Sequence, residues 1–303
     1  MRTRATKAHR TRDSDRMPIA MTTPTVGELG DLLAAMREWQ REGTPFQLHP
    51  GDIGWFWRDG AEKTAAALRV WRRDGLPVAI GLLDGPDVLR VAFRPDAMQD
   101  RELAETLAAD VSDPQHGVLI EREANVEAPM GTLLQKVLLD AGWSRGELWS
   151  PLQRNLSEPV ELPDVRIEVI DETTAEAHVA IVRSAFARST YSLKKWRAMA
   201  AGPAFADARC LAVYNSNDDI VGTVIVWSAG LGRRGLIEPL GVHPDHRGHG
   251  YGRAITLAGA VALQQLGASS VTVATQSANV PAVATYKSAG MKPFEERHDL
   301  HRP

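Results

Sequence analysis

Two short stretches of this chain recur at almost one spacing. Val91-Ala92-Phe93-Arg94-Pro95-Asp96 aligns with Leu240-Gly241-Val242-His243-Pro244-Asp245 at an offset of 149 residues, and Ala141-Gly142-Trp143 aligns with Ala289-Gly290-Met291 at 148. Self-similarity at one long period predicts a duplicated unit and argues against a single large barrel. The 303 residues accommodate two units, since a domain takes about 100–200 residues. The first residues stand apart. Arg2, Arg4, Lys7, Arg10, Arg12 and Arg16 come with too little apolar content to pack, so residues 1–24 are expected to be a disordered basic arm. The arm lacks the apolar run of a secretory signal. The two units are then expected at 25–158 and 159–303.

The hydrophobic pattern predicts mixed α/β elements in both halves. In the first, Thr25-x-x-Glu28 is a capping box that opens a helix with Leu29, Leu32, Leu33 and Met36 on one face and Gly43 at its end. Residues 77–83 and 88–93 are apolar runs around Asp84-Gly85-Pro86, two strands and a turn. Residues 99–109 and 130–141 have helical spacing, and the polar stretch Asn155 to Asp164 is the best linker. The segment Gly51 to Arg58 has no clear counterpart in the second half.

In the second half, Val165, Ile167 and Val169 alternate with Arg166 and Glu168, a half-buried strand. Thr173-x-x-Glu176 reads as another capping box, opening a helix with Ile181, Val182, Ala185 and Phe186 inward. Ser192 to Ala201 is a short helix stopped by Gly202-Pro203. Strands are expected at 209–214, 220–227, 235–242, 271–275 and 294–302, and helices at 251–266 and 279–289. The order β-α-α-β-β-β-α-β-α-β makes a mixed, mostly antiparallel sheet flanked by helices, not a regular doubly wound repeat.

One segment carries chemistry: Leu240-Gly241-Val242-His243-Pro244-Asp245-His246-Arg247-Gly248-His249-Gly250-Tyr251-Gly252. A strand ends and three glycines alternate before a helix. Glycines let backbone N–H groups approach a ligand, and the helix start adds free N–H groups with about half a positive charge. Together they suit a phosphate, and Arg247 can add a bidentate contact. A P-loop would need Lys-Ser/Thr after the last glycine, and none follows. A dinucleotide fold would need Gly-x-Gly-x-x-Gly and a downstream acid. Here the spacing is Gly-x-Gly-x-Gly, and no Asp or Glu occurs from His246 through Phe294.

Strand, Val-x-Pro-x-x-Arg-Gly-x-Gly-x-Gly, helix resembles the acyl-CoA-binding motif of the GNAT superfamily of N-acyltransferases. Asn279-Val280-Pro281-Ala282, then Tyr286, then Ala289-Gly290-Met291 resembles the family's second motif. The resemblance covers about the last 140 residues, and the two motifs are specific at this separation. It implies two tandem GNAT-like domains and acyl transfer from acetyl-CoA, or a related acyl-CoA, to a primary amine. The resemblance assigns Gly248, His249, Gly250, Tyr251 and Gly252, with Arg247, to the pyrophosphate. It assigns Leu240, Gly241 and Val242 to the pantetheine arm and thioester carbonyl, and Asn279 to the pantetheine arm.

The chemistry then asks for two proton transfers. An ammonium with a pKa near 10.4 is neutral in only about one molecule in two thousand at pH 7, so a base is valuable. Glu238 lies two residues before Leu240, and alternation places both on one strand face. It is the expected base, directly or through water. A thiolate with a pKa near 8.5 leaves readily and needs less help. Tyr286 is the expected acid.

Continuing the repeat removes that chemistry from the first half. Gly248, Gly250 and Gly252 correspond to Gln99, Arg101 and Leu103, Asn279 to about Gly131, and Tyr286 to Leu138. The first half is expected to be a degenerate GNAT-like domain without a cofactor site. Six of the eight tryptophans lie there, which suits core, domain contact or an acceptor pocket. Tyr191, Ser192, Trp196 and Trp227 are the second half's candidates to line that pocket.

Composition excludes other classes. With 44% apolar and 24% charged residues, disorder and fibrous folds are out. A net charge of -3 gives no reason to invoke nucleic acid, and no run approaches the roughly 20 apolar residues of a membrane helix. The single cysteine, Cys210, forbids an intrachain disulfide, fits the cytoplasm and reads as a buried hydrophobe rather than a nucleophile. His243, His246 and His249 lack a fourth ligand, so no metal is expected. The acceptor is a small-molecule or peptide amine, and the chain acts as a monomer or homodimer. The competing reading is an acyl-CoA sensor without turnover.

Overall fold

The structure is a computed structural model that describes residues 17–162, 164–294 and 296–303. The basic arm lies outside the described residues up to position 16. Its last expected positions do not: β1 (Ala20–Thr22) pairs antiparallel with residues 70–72, and Ile19 is buried.

The first half continues with α1 (Leu29–Trp39), α2 (Pro50–Phe56), α3 (Ala61–Ala67), β2 (Leu68–Arg73), β3 (Leu76–Leu83), β4 (Val88–Phe93), α4 (Arg101–Ser112), β5 (Ala124–Glu127), α5 (Leu133–Asp140) and β6 (Ser144–Asn155). The second half has β7 (Ile167–Val169), α6 (Ala175–Ala185), α7 (Leu193–Ala200), β8 (Ala208–Tyr214), β9 (Ile220–Ser228), β10 (Arg234–Val242), α8 (Tyr251–Gln265), β11 (Ser270–Gln276), α9 (Val280–Ser288), β12 (Lys292–Pro293) and β13 (Arg297–Arg302). The halves repeat one plan. In each, antiparallel strands lead to one parallel step, β4 with β5 and β10 with β11.

Among the described residues all strands join one sheet in the order β1-β2-β3-β4-β5-β13-β6-β11-β10-β9-β8-β7, with β12 beside β6. The final strands have changed places. β6, which ends the first half, pairs with β11 from Ser270↔Asn155 to Gln276↔Trp149. β13, which ends the chain, pairs with β5 through Leu300↔Val126. β6 and β13 then pair with each other. A boundary at 158/159 therefore falls in the linker, yet each half's sheet is completed by the other's last strand.

Packing follows the same division. On one side of the sheet α1 and α2 meet α6 and α7 in a core shared by both halves, with Leu33, Met36 and Ile53 in one cluster with Val179, Met199 and Trp227. The other cores are local: Phe93, Leu103 and Leu138 in the first half, Val224, Ile255 and Leu263 in the second. Two caps differ from the sequence reading. The first helix ends at Trp39, not Gly43, although Thr25 N–H donates to Glu28 Oε2 at 2.8 Å as the box requires. α6 is entered through Asp171, whose Oδ1 accepts from Thr173 N at 2.9 Å and Thr174 N at 3.2 Å, and not through Thr173 with Glu176.

Candidate active site

β10 parts from its neighbour where the chemistry was expected. Its parallel pairing with β11 covers Arg234 to Leu236 only, while β11 stays paired with β6 along its whole length. Its antiparallel pairing with β9 continues to Val242 but slips between Ile237 and Leu240. One extra residue on β10 is a bulge, which re-aims side chains. Trp227 Nε1 holds it by donating to the Glu238 carbonyl at 2.6 Å. The bulge interrupts the simple alternation that placed Glu238 beside Leu240. Both residues nonetheless line one cavity of about 510 Å3.

The loop that follows uses its glycines for two reasons. Gly248 (φ 81°) and Gly250 (φ 83°) are left-handed, a conformation that side chains with a Cβ disfavour. Gly250 starts α8, and no side chain caps it, which leaves backbone N–H groups open. Gly252 instead permits close packing, since a Cβ there would lie 3.0 Å from Thr285 Cγ2 on α9. Leu240, Gly241, Val242, Arg247, Gly248, Tyr251, Gly252, Asn279 and Tyr286 line a second cavity of about 460 Å3. His249 and Gly250, expected beside them, are absent from its lining. Asn279 also caps α9, with Oδ1 accepting from Ala282 N at 3.4 Å. His243 is occupied with its own turn, accepting from Asp245 N at 3.3 Å, and no group of three possible metal ligands occurs among the described residues.

The two cavities meet at Phe186, Leu240, Asn279, Ala282 and Tyr286. The larger one is walled by both halves: Phe46, Trp55, Asp84, Arg90, Glu127 and Trp149 come from the first. None of Tyr191, Ser192, Trp196 and Trp227 lines it. Tyr191, Trp196 and Trp227 are buried in the shared core instead. The tryptophans that do face the cavity, Trp55 and Trp149, belong to the half without a glycine loop. Trp55 arrives on α2, the segment without a counterpart. Gly51 and Gly54 let α2 lie on Trp227, for a Cβ on either would fall 2.5 Å or 2.4 Å from that side chain.

Charges converge on this wall. Arg90 reaches Asp52 at 2.9 Å, Glu127 at 3.2 Å, Glu238 at 3.8 Å and Asp84 at 3.9 Å. Arg297, on the exchanged strand β13, pairs with Glu127 at 2.6 Å. Burial pushes the Glu238 carboxyl well up, helped by the Asp52 charge beside it and opposed by Arg90. Burial works against ionised Asp52 too, but Arg90 and the His49 N–H, which donates to it at 2.6 Å, hold it below the usual range. The two carboxyls are thus pushed in opposite directions, Asp52 towards its charged form and Glu238 towards its neutral one. Burial and the neighbouring Glu238 charge raise the Tyr286 hydroxyl, so it stays protonated. Cys210 is 2% exposed, its thiol is pushed up by burial, and it packs 3.8 Å from His178 Nδ1. A thiol held protonated is a poor nucleophile.

The site is thus a strand that splays from its parallel neighbour, followed by a glycine turn into an uncapped helix. Residues 172–291 match the Acetyltransferase (GNAT) family and form a GNAT acetyltransferase domain. Across nearly the whole chain the fold is that of tandem GNAT proteins. A tandem GNAT protein from the clavulanic acid biosynthesis pathway has a TM-score of 0.59 at 14% identity, covering 94% of this chain and 98% of that one. The GCN5-related N-acetyltransferase from Sphaerobacter thermophilus has 0.56 at 19%, covering 94% and 95%. At these identities the likeness is one of fold. In sequence, a segment of 61 residues is 39% identical to mycothiol acetyltransferase from Saccharomonospora viridis, and one of 56 residues is 43% identical to that from Pseudarthrobacter chlorophenolicus. These matches cover 20% and 18% of this chain, and 20% and 17% of the relatives' length. Among the described residues no helix is long and apolar enough to cross a membrane.

Proposed function

We propose that this protein transfers an acetyl group from acetyl-CoA to a primary amine by direct attack, with one working site in the second half. The observation that carries the reading is the junction of the two cavities at Leu240, Asn279 and Tyr286, with Glu238 on the acceptor side. The open N–H groups at Gly248 to Gly252 and Arg247 suit the pyrophosphate. The unpaired edge of β10 beyond Leu236 suits the pantetheine amides, and its N–H groups would polarise the thioester carbonyl.

Glu238 takes a proton from the ammonium, and the freed lone pair forms the C–N bond as the C–S bond breaks. The sulfur leaves with the bonding pair and takes the Tyr286 proton. Tyr286 recovers one from the nitrogen of the newly formed N-protonated amide, so the net proton on Glu238 passes to water. Asp84, Glu127 and Glu238 equal Arg90, Arg188 and Arg297 in number along the cavity wall, so the wall offers partners for both signs of charge on an acceptor. Trp55, Trp149 and Phe46 would cover its apolar body. The mycothiol acetyltransferase matches make des-acetylated mycothiol the first amine to test.

Thiol release from acetyl-CoA, measured with des-acetylated mycothiol, glucosamine, spermidine and lysine amide, tests the reading. Amine-dependent release is expected with at least one of these. Tight acetyl-CoA binding with no release above the amine-free rate would make the protein a sensor and sink the enzyme reading.

A further inference from the structure

Glu238 does not meet its acceptor alone, because side chains from the first half press on it from two elements. Asp52 is on α2, with a side chain only 1% exposed, and its carboxyl and that of Glu238 lie against the same guanidinium. Arg90 is on β4, at 12% exposure, and bridges the two. By the offset of the repeat, Arg90 in β4 corresponds to Pro239 in β10, the residue after Glu238. Arg90 from the first half and Glu238 from the second thus meet on one wall of the cavity.

We propose that Asp52 and Arg90 are positioning residues for Glu238: Asp52 shares one proton with it, and Arg90 fixes Asp52 as the charged partner. The inference rests on the acyl-transfer reading above and extends it, because it makes the first half part of the catalytic device rather than a wall.

Two carboxyls so close, and both shielded from water, hold their last proton tightly. An unassisted pair would place that proton on either group. Arg90 breaks the tie, since it sits 2.9 Å from Asp52 and 3.8 Å from Glu238 and so favours charge on Asp52. The proton then rests on Glu238, on the cavity side. Once it is lost, Glu238 is a stronger base than an ordinary carboxylate, nearer in proton affinity to the ammonium it must deprotonate. The other groups that face this pair are His49 before α2, Asp84 on the turn after β3, Glu127 on β5, Arg297 on β13, Tyr286 on α9 and Arg188 beyond α6. Glu127 and Arg297 pair with each other, leaving Asp52 and Arg90 as the closest charges.

The signs separate this role from a structural one. Asp52→Asn removes a neighbouring charge and so lowers the pH at which Glu238 titrates. Arg90→Gln removes the opposite charge and so raises it. Loosening of the fold would move both the same way, towards an exposed carboxyl. The test is a carboxyl titration by NMR of the full chain, labelled with 13C at the glutamate side-chain carboxyls and saturated with CoA. Glu238→Gln identifies the signal by deleting it. The wild-type signal is expected above the ordinary carboxylate range, lower by about one pH unit or more in D52N, higher in R90Q and in place in R90K.

An unmoved signal in D52N overturns the proposal, as does a shift of one sign in D52N and R90Q. The side-chain amide oxygen that D52N introduces can still accept from the His49 N–H, so this variant keeps the helix cap. If either variant fails to fold, the sign in the other decides alone. Failure of the wild type to bind CoA would instead overturn the acyl-transfer reading, and the titration would still report on the carboxyl pair.

Discussion

The N-termini of α4 and α8 occupy the same place in the two halves and are treated in opposite ways. At α4 the chain supplies its own anion: Asp100 accepts from Leu103 N at 3.0 Å, and Arg73 pairs with Asp100 and, at 2.8 Å, with Glu102. Gln99 closes the loop by donating to the Gly131 carbonyl at 2.6 Å. At α8 a left-handed glycine starts the helix, no side chain caps it, and its first turn holds no acid. Both helix ends attract negative charge for the same reason. In one the attraction is satisfied within the fold, and in the other it is left for a ligand. A missing cap is thus as informative as a present motif. Retention of the helix in both halves shows that its packing, not its ligand, keeps it.

The sharpest way to break the comparison is to remove chemistry from the working half. Glu238→Gln is expected to lower kcat of thiol release by about 10²–10³-fold, the scale of a lost general base. The dissociation constant for acetyl-CoA, measured by calorimetry, should stay within about twofold, because Glu238 lies outside the cavity that holds the glycine turn. An unchanged kcat would remove Glu238 from the role assigned to it.

Next in size is an attack on the contact between the halves. Gly54→Val would drive a Cβ to within 2.4 Å of the Trp227 ring. Overpacking of this kind costs about 1–3 kcal/mol. A thermal melt should show that loss, and kcat should fall more than acetyl-CoA affinity, since Asp52 and Trp55 ride on the same helix. Retained stability with retained kcat would mean that α2 does not brace the site.

Much of this architecture was legible in the sequence because the second half follows its own period. Its strands at 208–214, 220–228 and 234–242 and its helices at 251–265 and 280–288 lie within a residue or two of the pattern. The first half was legible at α1, β3, β4, α4 and α5, but β1, α2, α3, β2, β5 and β6 were not anticipated. β5 has four residues and α2 seven, too short for a period to register. The exchange of β6 and β13 has no local signal, because both partners look like ordinary last strands and only the global pairing separates the alternatives. The same holds for the site. The motifs pointed to Tyr286 and the glycine turn, and strand alternation pointed to Glu238, all of which border the two cavities. Asp52, Arg90 and Trp55 reach the cavity through tertiary packing, and the one hint was a Gly- and Trp-rich segment with no repeat partner.

A smaller effect is expected from the leaving-group side. Tyr286→Phe keeps the packed ring and removes only the hydroxyl. A thiolate departs without much assistance, so kcat should fall by about tenfold, clearly less than in E238Q. If the two variants were equally slow, departure of the sulfur would limit the rate and the ranking of the two proton transfers would be wrong.

The mildest change tests the silent half directly. Asp100→Ala deletes the cap of α4, and capping residues contribute about 1 kcal/mol. Arg73, held charged by its hydrogen bond to Asp100, would keep Glu102 as a partner, so the loss should stay near that figure. A denaturant titration should show it, while kcat and acetyl-CoA affinity remain at wild-type values, because no residue of this helix end lines either cavity of the active site. Weaker acetyl-CoA binding in D100A would mean that the first half still takes a phosphate at this helix. Its own carboxylate would then be an inhibitor of that site rather than its replacement, and the two helix ends would differ in degree and not in kind.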